Sequence, residues 1–376
     1  MVRVTAPRRL VVELLRRIDE GGAYANLVVP AALTESALDR RDRAMVTDLV
    51  YGVTRRRRTL DALCDPHISV PPDGDVRRVL RVGAFQLLDG RIPRHAAVSS
   101  TVDLAPRRAR GFVNAVLRRV ADAIDDDALS AMRPAVVLSY PDWIHDRLVD
   151  ELGADDAHAA MEAMNRPAPV TVRDDGYVQD HASTLVADAV PVGPDGTVVD
   201  MCAAPGGKAT AMASRGAHVI AFDVHRHRAG LIAKNARRTG TSATVHAVVA
   251  DGAAPPLRPG CVPAVLLDAP CSGLGALRRR PDARWRITPG DLDGLVSVQA
   301  RLRHAAAELL APGGCLVYSV CTVTAAESID HRTPPGCELD PEPLPAPWEP
   351  WGSGWRLLPQ HIDSDGMVVV RYRRMR

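Results

Sequence analysis

Lysine is nearly missing from this 376-residue chain: Lys208 and Lys234 are its two lysines, against a total of 47 basic residues that are otherwise all arginine. A lysine retained against that bias is an informative position. Long apolar runs are missing too. No stretch approaches the roughly 18 uninterrupted apolar residues that a membrane helix needs, and the amino-terminal segment, with Arg8, Arg9, Arg16 and Arg17 among its apolar residues, has no continuous signal-peptide core. The expectation is a soluble, cytoplasmic protein. Cysteine is sparse, and none of the seven forms a Cys-x-x-Cys pair, so neither a disulfide framework nor a zinc knuckle is indicated and no metal site is expected. Neither the Gly-x-Gly-x-x-Gly turn of a dinucleotide site nor the Gly-x-x-x-x-Gly-Lys-Ser/Thr loop of a nucleoside triphosphate site occurs in the expected place. Hydride transfer and ATP hydrolysis are thereby disfavoured.

The length suits two domains, and an apolar content of 46% gives each a core. From Arg8 to about Val120 the apolar residues recur at helical spacing, as in Leu10, Val11, Leu14, Leu15 and Ile18 or Val76, Val79 and Leu80, with turn-rich breaks such as residues 69–74 between them. Residues 1–130 read as an all-helical domain. Residues 131–165 read as a linker with a bridging helix at 143–152. From residue 166 onward, short β-branched runs alternate with helical stretches, which predicts an α/β domain over 166–376 with a mainly parallel sheet. Strands are expected at 197–200, 218–223, 244–251, 264–268 and 315–319, with a final pair at 355–358 and 367–372, in keeping with a seven-stranded, Rossmann-like methyltransferase architecture. Residues 331–354 hold seven prolines and read as a long loop.

The first expected strand runs into Asp200-Met-Cys-Ala-Ala-Pro-Gly-Gly-Lys208 and then a helical segment. Two glycines at a strand-to-helix turn let a ligand approach the backbone, and the helix start offers free amide donors to a carboxylate. Asp223 ends the second strand, where a carboxylate can accept from both ribose hydroxyls of an adenosine, and Asp251 ends the third, where it can take the adenine amino group. One aspartate at a strand end is most often a turn residue. Three on one sheet edge beside a glycine turn point to a cofactor, S-adenosylmethionine, held by Cys202, Ala203, Ala204, Pro205, Gly206, Gly207, Lys208, Asp223 and Asp251.

Two cysteines leave the sheet at that same edge. Cys271 follows the fourth strand in Asp268-Ala-Pro-Cys271, and Cys321 ends the fifth in Tyr318-Ser-Val-Cys321. Carbon 5 of cytosine is too weak a nucleophile to take a sulfonium methyl unaided; a thiolate added at carbon 6 makes it carbanionic, and a second group must remove the carbon-5 proton before the thiol leaves. A thiol needs a positive or donor-rich setting to ionise at neutral pH, which Lys208 can supply. The alternative state of a free cysteine is a small buried hydrophobe, and that is the expectation for Cys64, Cys261, Cys315 and Cys337. For Cys202, packing is expected over catalysis.

At these residues the sequence resembles the Sun/Fmu family of RNA cytosine-5 methyltransferases, specifically its bacterial 16S ribosomal RNA branch. In the first third, Gly111-Phe-Val-Asn-Ala-Val-Leu-Arg118 is similar to a helix of the RNA-binding domain shared with the antitermination factor NusB. Tyr177-Val-Gln-Asp-His-Ala-Ser183, Leu274–Trp285, Leu357-Leu-Pro-Gln-His361 and Asp365-Gly-Met367 extend the likeness through nearly the whole chain. The resemblance implies catalytic roles for four residues: Cys321 as nucleophile, Cys271 in release of the product, and Asp268 and Lys208 in holding base and cofactor. Spacing alone leaves the two cysteine roles open, since DNA cytosine methyltransferases attack with the Pro-Cys thiol. The chain departs from the family at Val320, where threonine is usual, and at Met367, where phenylalanine is usual.

The implied partner is structured, ribosomal RNA. Residues 1–120 carry 22 Arg against 13 acidic residues, an excess of nine charges that could face a polyanion. Arg55–Arg58, Arg107, Arg108, Arg110, Arg278–Arg280 and Arg284 are candidates for phosphate contact, and Trp285, Trp348 and Trp351 for base stacking. A transfer RNA substrate, or an RNA-binding assembly factor without catalysis, are the competing readings. No oligomer is implied.

Overall fold

The computed structural model describes residues Thr5–Arg376, and these divide into two compact units. One comprises the chain to Asp146 together with Arg279–Arg286; the other comprises Arg147–Arg278 and Ile287–Arg376.

The first unit is helical. Its main elements are α1 (Thr5–Asp19), α2 (Ala25–Glu35), α3 (Arg40–Cys64), α4 (Gly74–Asp89), α5 (Arg94–Val102) and α6 (Arg110–Asp125). Local chemistry sets the ends: the Asp39 and Asp73 side chains accept from the Asp42 and Val76 amides, each at 2.8 Å, capping α3 and α4. The apolar stripes meet in one core that includes Leu14 of α1, Val50 and Leu60 of α3, Leu80 of α4 and Leu117 of α6. Two of its arginines, Arg78 and Arg81, are buried inside this unit among Asp19, Asp61 and Asp75.

In the second unit the strands are β1 (Thr197–Asp200), β2 (His218–Asp223), β3 (Val245–Val249), β4 (Val262–Asp268), β5 (Leu310–Val320), β6 (Cys337–Leu339), β7 (Glu349–Trp351), β8 (Gly354–Leu357) and β9 (Met367–Arg374). They form one sheet in the order β3-β2-β1-β4-β5-β9-β8-β7, with β6 also on β9; β1 to β5 are mutually parallel and β9 runs antiparallel to β5. Side chains alternate between the faces. Ala264 and Leu266 of β4 and Val317 of β5 enter a core with Ala209, Met212 and Ile232, whereas Val265, Leu267 and Leu316 enter another with Leu302, Ala306 and Leu309 of the helix Pro289–Leu309. Both faces are covered, as a parallel sheet requires.

The sheet has nine strands where the sequence predicts seven. The two additional ones, β6 and β7, are three-residue pieces of the proline-rich segment, lying off the central strands. Pro350 is tolerated in β7 because that strand is at the sheet edge, where an N–H is not needed on the open side. Among the described residues, no helix is long and apolar enough to cross a membrane.

Candidate active site

The register of the parallel strands decides which loops meet. Asp200 of β1 lies opposite Leu266 of β4, and Asp268 of β4 opposite Ser319 of β5, so the chain leaves all three strands at one sheet edge. After β1 the backbone turns through Gly206 at φ +103°, a conformation that favours glycine, and a Cβ there would lie 3.1 Å from the Ile232 Cα. The loop also carries a cis Ala204–Pro205 bond. The helix Gly207–Ala213 then begins and delivers Lys208.

Lys208 Nζ donates to Asp268 Oδ2 at 2.6 Å, and the other oxygen of Asp268 accepts from Ser319 Oγ at 2.8 Å. Burial opposes the charge on Lys208, but the Asp268 carboxylate, with Asp200 and the Cys321 sulfur, outweighs it and holds the ammonium above its ordinary value. Asp200 is buried, and neither carboxylate oxygen makes a well-formed hydrogen bond. Burial pushes it up to about 7 against the pull of Lys208, and Asp268 adds to the rise.

Sγ of Cys271 and Sγ of Cys321 are 3.4 Å apart. Their contact, followed by burial, drives the Cys271 thiol well above the usual thiol range, with Glu327 and Asp268 contributing further. Behind the pair, Gly275 N donates to the Cys321 carbonyl at 3.0 Å and Gly366 N to the Gly275 carbonyl at 2.8 Å. The Asp365-Gly-Met segment at the end of the chain is thereby tied by backbone bonds to the loops bearing both sulfurs.

The remaining candidates are less uniform. Asp223 is buried; its Oδ1 accepts from His225 N at 2.9 Å and its Oδ2 lies 3.4 Å from Arg228 Nε. Asp251 is exposed and caps its own turn through Ala253 N at 2.9 Å. β3 ends at Val249, so Asp251 lies two residues beyond the strand that the sequence predicts it to close, and both aspartates make ordinary turn contacts. Cys202 is half-buried, its thiol pushed up to about 12 by burial. Ala203 is buried against the sheet, and Pro205 accepts from Asn235 Nδ2 at 2.9 Å.

Several expectations require correction. Cys261 is exposed, at the turn leading into β4, whereas Cys64, Cys315 and Cys337 are buried. Arg55, Arg278 and Arg284, expected as phosphate ligands, are buried, and Arg278 also pairs with Asp363 at 2.7 Å. Arg284 reaches the carbonyls of Arg55 and Ser139 at 3.3 and 3.2 Å with its guanidinium 4.0 Å from the Tyr140 ring centre, and Arg278 reaches those of Arg166 and Pro167. Trp348 is buried, and Trp285 donates its ring N–H to the Thr54 carbonyl at 2.7 Å. Arg107 and Arg108 are exposed.

Arg173 was not singled out by the sequence. It donates to the Gly207 carbonyl at 2.6 Å and Thr210 Oγ1 at 3.1 Å and lies 4.9 Å over the Tyr177 ring, bracing the glycine loop. In a chain this rich in arginine, residue type alone carries no signal for it.

Residues 189–371 match the family described as 16S rRNA methyltransferase RsmB/F, and residues 5–122 match the NusB family. The chain is 35% identical to the ribosomal RNA small subunit methyltransferase B of Thermus thermophilus, over 100% of this chain and 99% of that one. It is 30% identical to the enzyme of the same name from Xanthomonas campestris pv. campestris, over 97% and 96% of the two chains. Among solved structures, that of PH0851 superposes with a TM-score of 0.76 at 21% identity, covering 100% of this chain and 99% of that one, a likeness of fold.

Proposed function

The chain belongs to the RsmB/F family of 16S rRNA methyltransferases, and from that premise we propose that it methylates carbon 5 of a small-subunit ribosomal RNA cytosine through a covalent adduct on Cys321 that Cys271 helps to resolve. It is an S-adenosylmethionine-dependent methyltransferase. When bound, S-adenosylmethionine would supply an electrophilic methyl on a sulfonium whose sulfur keeps the bonding pair and becomes a thioether as the methyl leaves. The residues present suit such a ligand: Asp200 has two buried oxygens in want of donors, Asp223 lies at the next strand end, and the Gly206 turn opens the backbone. On this reading Cys202 to Lys208, Asp223, Asp251 and Asp268 line the cofactor site. Residues 1–130 form the RNA-binding part and 131–165 the bridge to the catalytic part at 166–376.

The Cys321 thiolate forms a bond to carbon 6, and the electron pair of the 5,6 double bond moves to carbon 5, which takes the methyl group. Carbon 5 then loses its proton to a base, the double bond re-forms and Cys321 departs as a thiolate. On this reading Cys271, whose sulfur lies 3.4 Å from that of Cys321, is that base once its own thiol has given up its proton. Lys208 stabilises negative charge on Cys321, and Asp268, held by Lys208 and Ser319, is the carboxylate offered to the base.

The observation that carries the reading is the 3.4 Å separation of the two sulfurs at the edge where Lys208 and Asp268 meet. The experiment is methyl transfer to small-subunit RNA by the wild type, Cys321→Ala and Cys271→Ala, with denaturing gels to detect protein bound to RNA. Cys321→Ala should show neither transfer nor adduct, and Cys271→Ala should accumulate the adduct. The opposite pattern would exchange the two roles.

A further inference from the structure

One buried carboxylate beside the two cysteines has no part in the reaction as written. Glu327, on the loop that follows β5, is fully buried. Its Oε1 accepts from the Ser272 backbone N–H at 2.8 Å and from Gln299 Nε2 at 3.2 Å; its Oε2 accepts from Ser272 Oγ at 2.5 Å and from Thr324 Oγ1 at 2.9 Å. All four donors are neutral. Burying a carboxylate is costly unless donors compensate its charge, and a site that assembles four of them is built to keep one.

What the carboxylate holds matters more than how it is satisfied. Ser272 directly follows Cys271, and Thr322 directly follows Cys321; Ser272 Oγ lies 3.0 Å from Thr322 Oγ1, which lies 3.3 Å from Thr324 Oγ1. Gln299 uses its amide a second time, donating to the carbonyl of Pro270 at 3.0 Å, on the other side of Cys271. The Tyr318 hydroxyl donates to the Glu327 carbonyl at 2.5 Å, fastening this loop back onto β5. The Glu327 side chain therefore ties the exit of β4, at Ser272, to the loop after β5, at Thr324, and Thr322 joins the network through Ser272 and Thr324.

We propose that Glu327 is a positioning residue for methyl transfer: by clamping Ser272 it fixes the Cys271 sulfur against Cys321, where Cys271 must stand to release the methylated base. The inference rests on the two-cysteine reading above. It explains why a carboxylate, and not an apolar residue of the same size, is buried here. Only an acceptor with two oxygens can hold the Ser272 amide and hydroxyl and still reach Gln299 and Thr324. The negative charge also adds to the proton affinity of Cys271, after the Cys321 contact and burial.

The test uses the full chain, with Glu327→Gln, Thr324→Val and the two cysteine variants assayed in parallel on small-subunit RNA. Glutamine keeps the shape but turns one acceptor into a donor facing donors. Glu327→Gln should lose about 100-fold in kcat, the scale of a misplacement near 1 Å, with KM for both substrates little changed. Protein–RNA adduct should build up, because addition through Cys321 survives and release does not. Binding of S-adenosylmethionine at the wild-type Kd shows that the domain is folded. Thr324→Val removes one of the four donors and should show the same pattern, weaker. Wild-type kcat in Glu327→Gln overturns the proposal, and so does a parallel loss of kcat and cofactor binding without adduct. If Glu327→Gln does not fold, Thr324→Val decides: adduct with reduced kcat supports the clamp, and unchanged turnover overturns it. Failure of Cys271→Ala to accumulate adduct would instead sink the two-cysteine reading, while the kcat-against-KM split would still report on the clamp.

Discussion

Asp200 and Lys208 show how residue-scale electrostatics and folding stability are linked at this site. The Asp200 carboxyl is raised from 3.8 to about 7 by burial. A group raised in the folded state contributes stability that is fully present below the unfolded value and is lost as pH climbs through the folded one. Its window is therefore from about pH 4 to about pH 7, with stability falling as pH rises, by an amount on the order of a few kcal/mol. Asp200→Asn removes the titrating group, and thermal unfolding followed across that window should decline less steeply with pH than in the wild type; parallel curves would show that Asp200 is not the group responsible. At this scale the sequence was legible where a residue type was rare. Lys208 stood out because only one other lysine exists. Glu327 and Arg173 did not, because acids and arginines are common here and only burial and partners separate these two from the rest.

At the scale of elements, the loops after β4 and β5 depend on a backbone crossing. Gly275 sits between the Cys321 carbonyl and Gly366, and a Cβ added at Gly275 would come within 2.9 Å of the Gly366 carbonyl carbon and 3.1 Å of the Cys321 oxygen. Both neighbours are backbone and cannot rotate away. Gly275→Ala should cost about 1–3 kcal/mol, the usual scale of overpacking, and displace Cys321. The measurements are the unfolding midpoint of the variant and its methyl transfer, both expected to fall; an alanine variant with wild-type values for both would show that the loops yield. Five crossover strands and the closing hairpin were readable from β-branched runs, and β1 and β2 begin and end where the sequence predicts. The strands β6 and β7 were hidden. Three residues give no period, and prolines argue against strands in general; only their place beside β9 and β8 permits them.

Across the whole molecule, the net charge of +2 conceals arginines with two fates. Arg55, Arg78, Arg81 and Arg284 are buried and hold the protein together, whereas Arg40, Arg41, Arg107, Arg108, Arg118 and Arg119 are exposed on the helical unit. If the exposed group meets RNA phosphates, binding releases counterions. RNA affinity should then fall at least about tenfold between 50 and 200 mM salt, while cofactor affinity changes little. A salt-independent RNA Kd would remove these arginines from the interface.

By itself, the amino-acid sequence determined the order of elements, the strand ends that carry Asp200, Asp223 and Asp268, and the presence of two cysteines after adjacent strands. These follow from local periodicity and from spacing along the chain, which neighbouring residues are enough to set. Tertiary structure decided the rest: that the sulfurs lie 3.4 Å apart, that Glu327 links their neighbours, and that arginines alike in sequence divide into buried struts and exposed charge. Those outcomes depend on which distant segments share a boundary, and burial and hydrogen-bond partnership exist only once those segments have packed together.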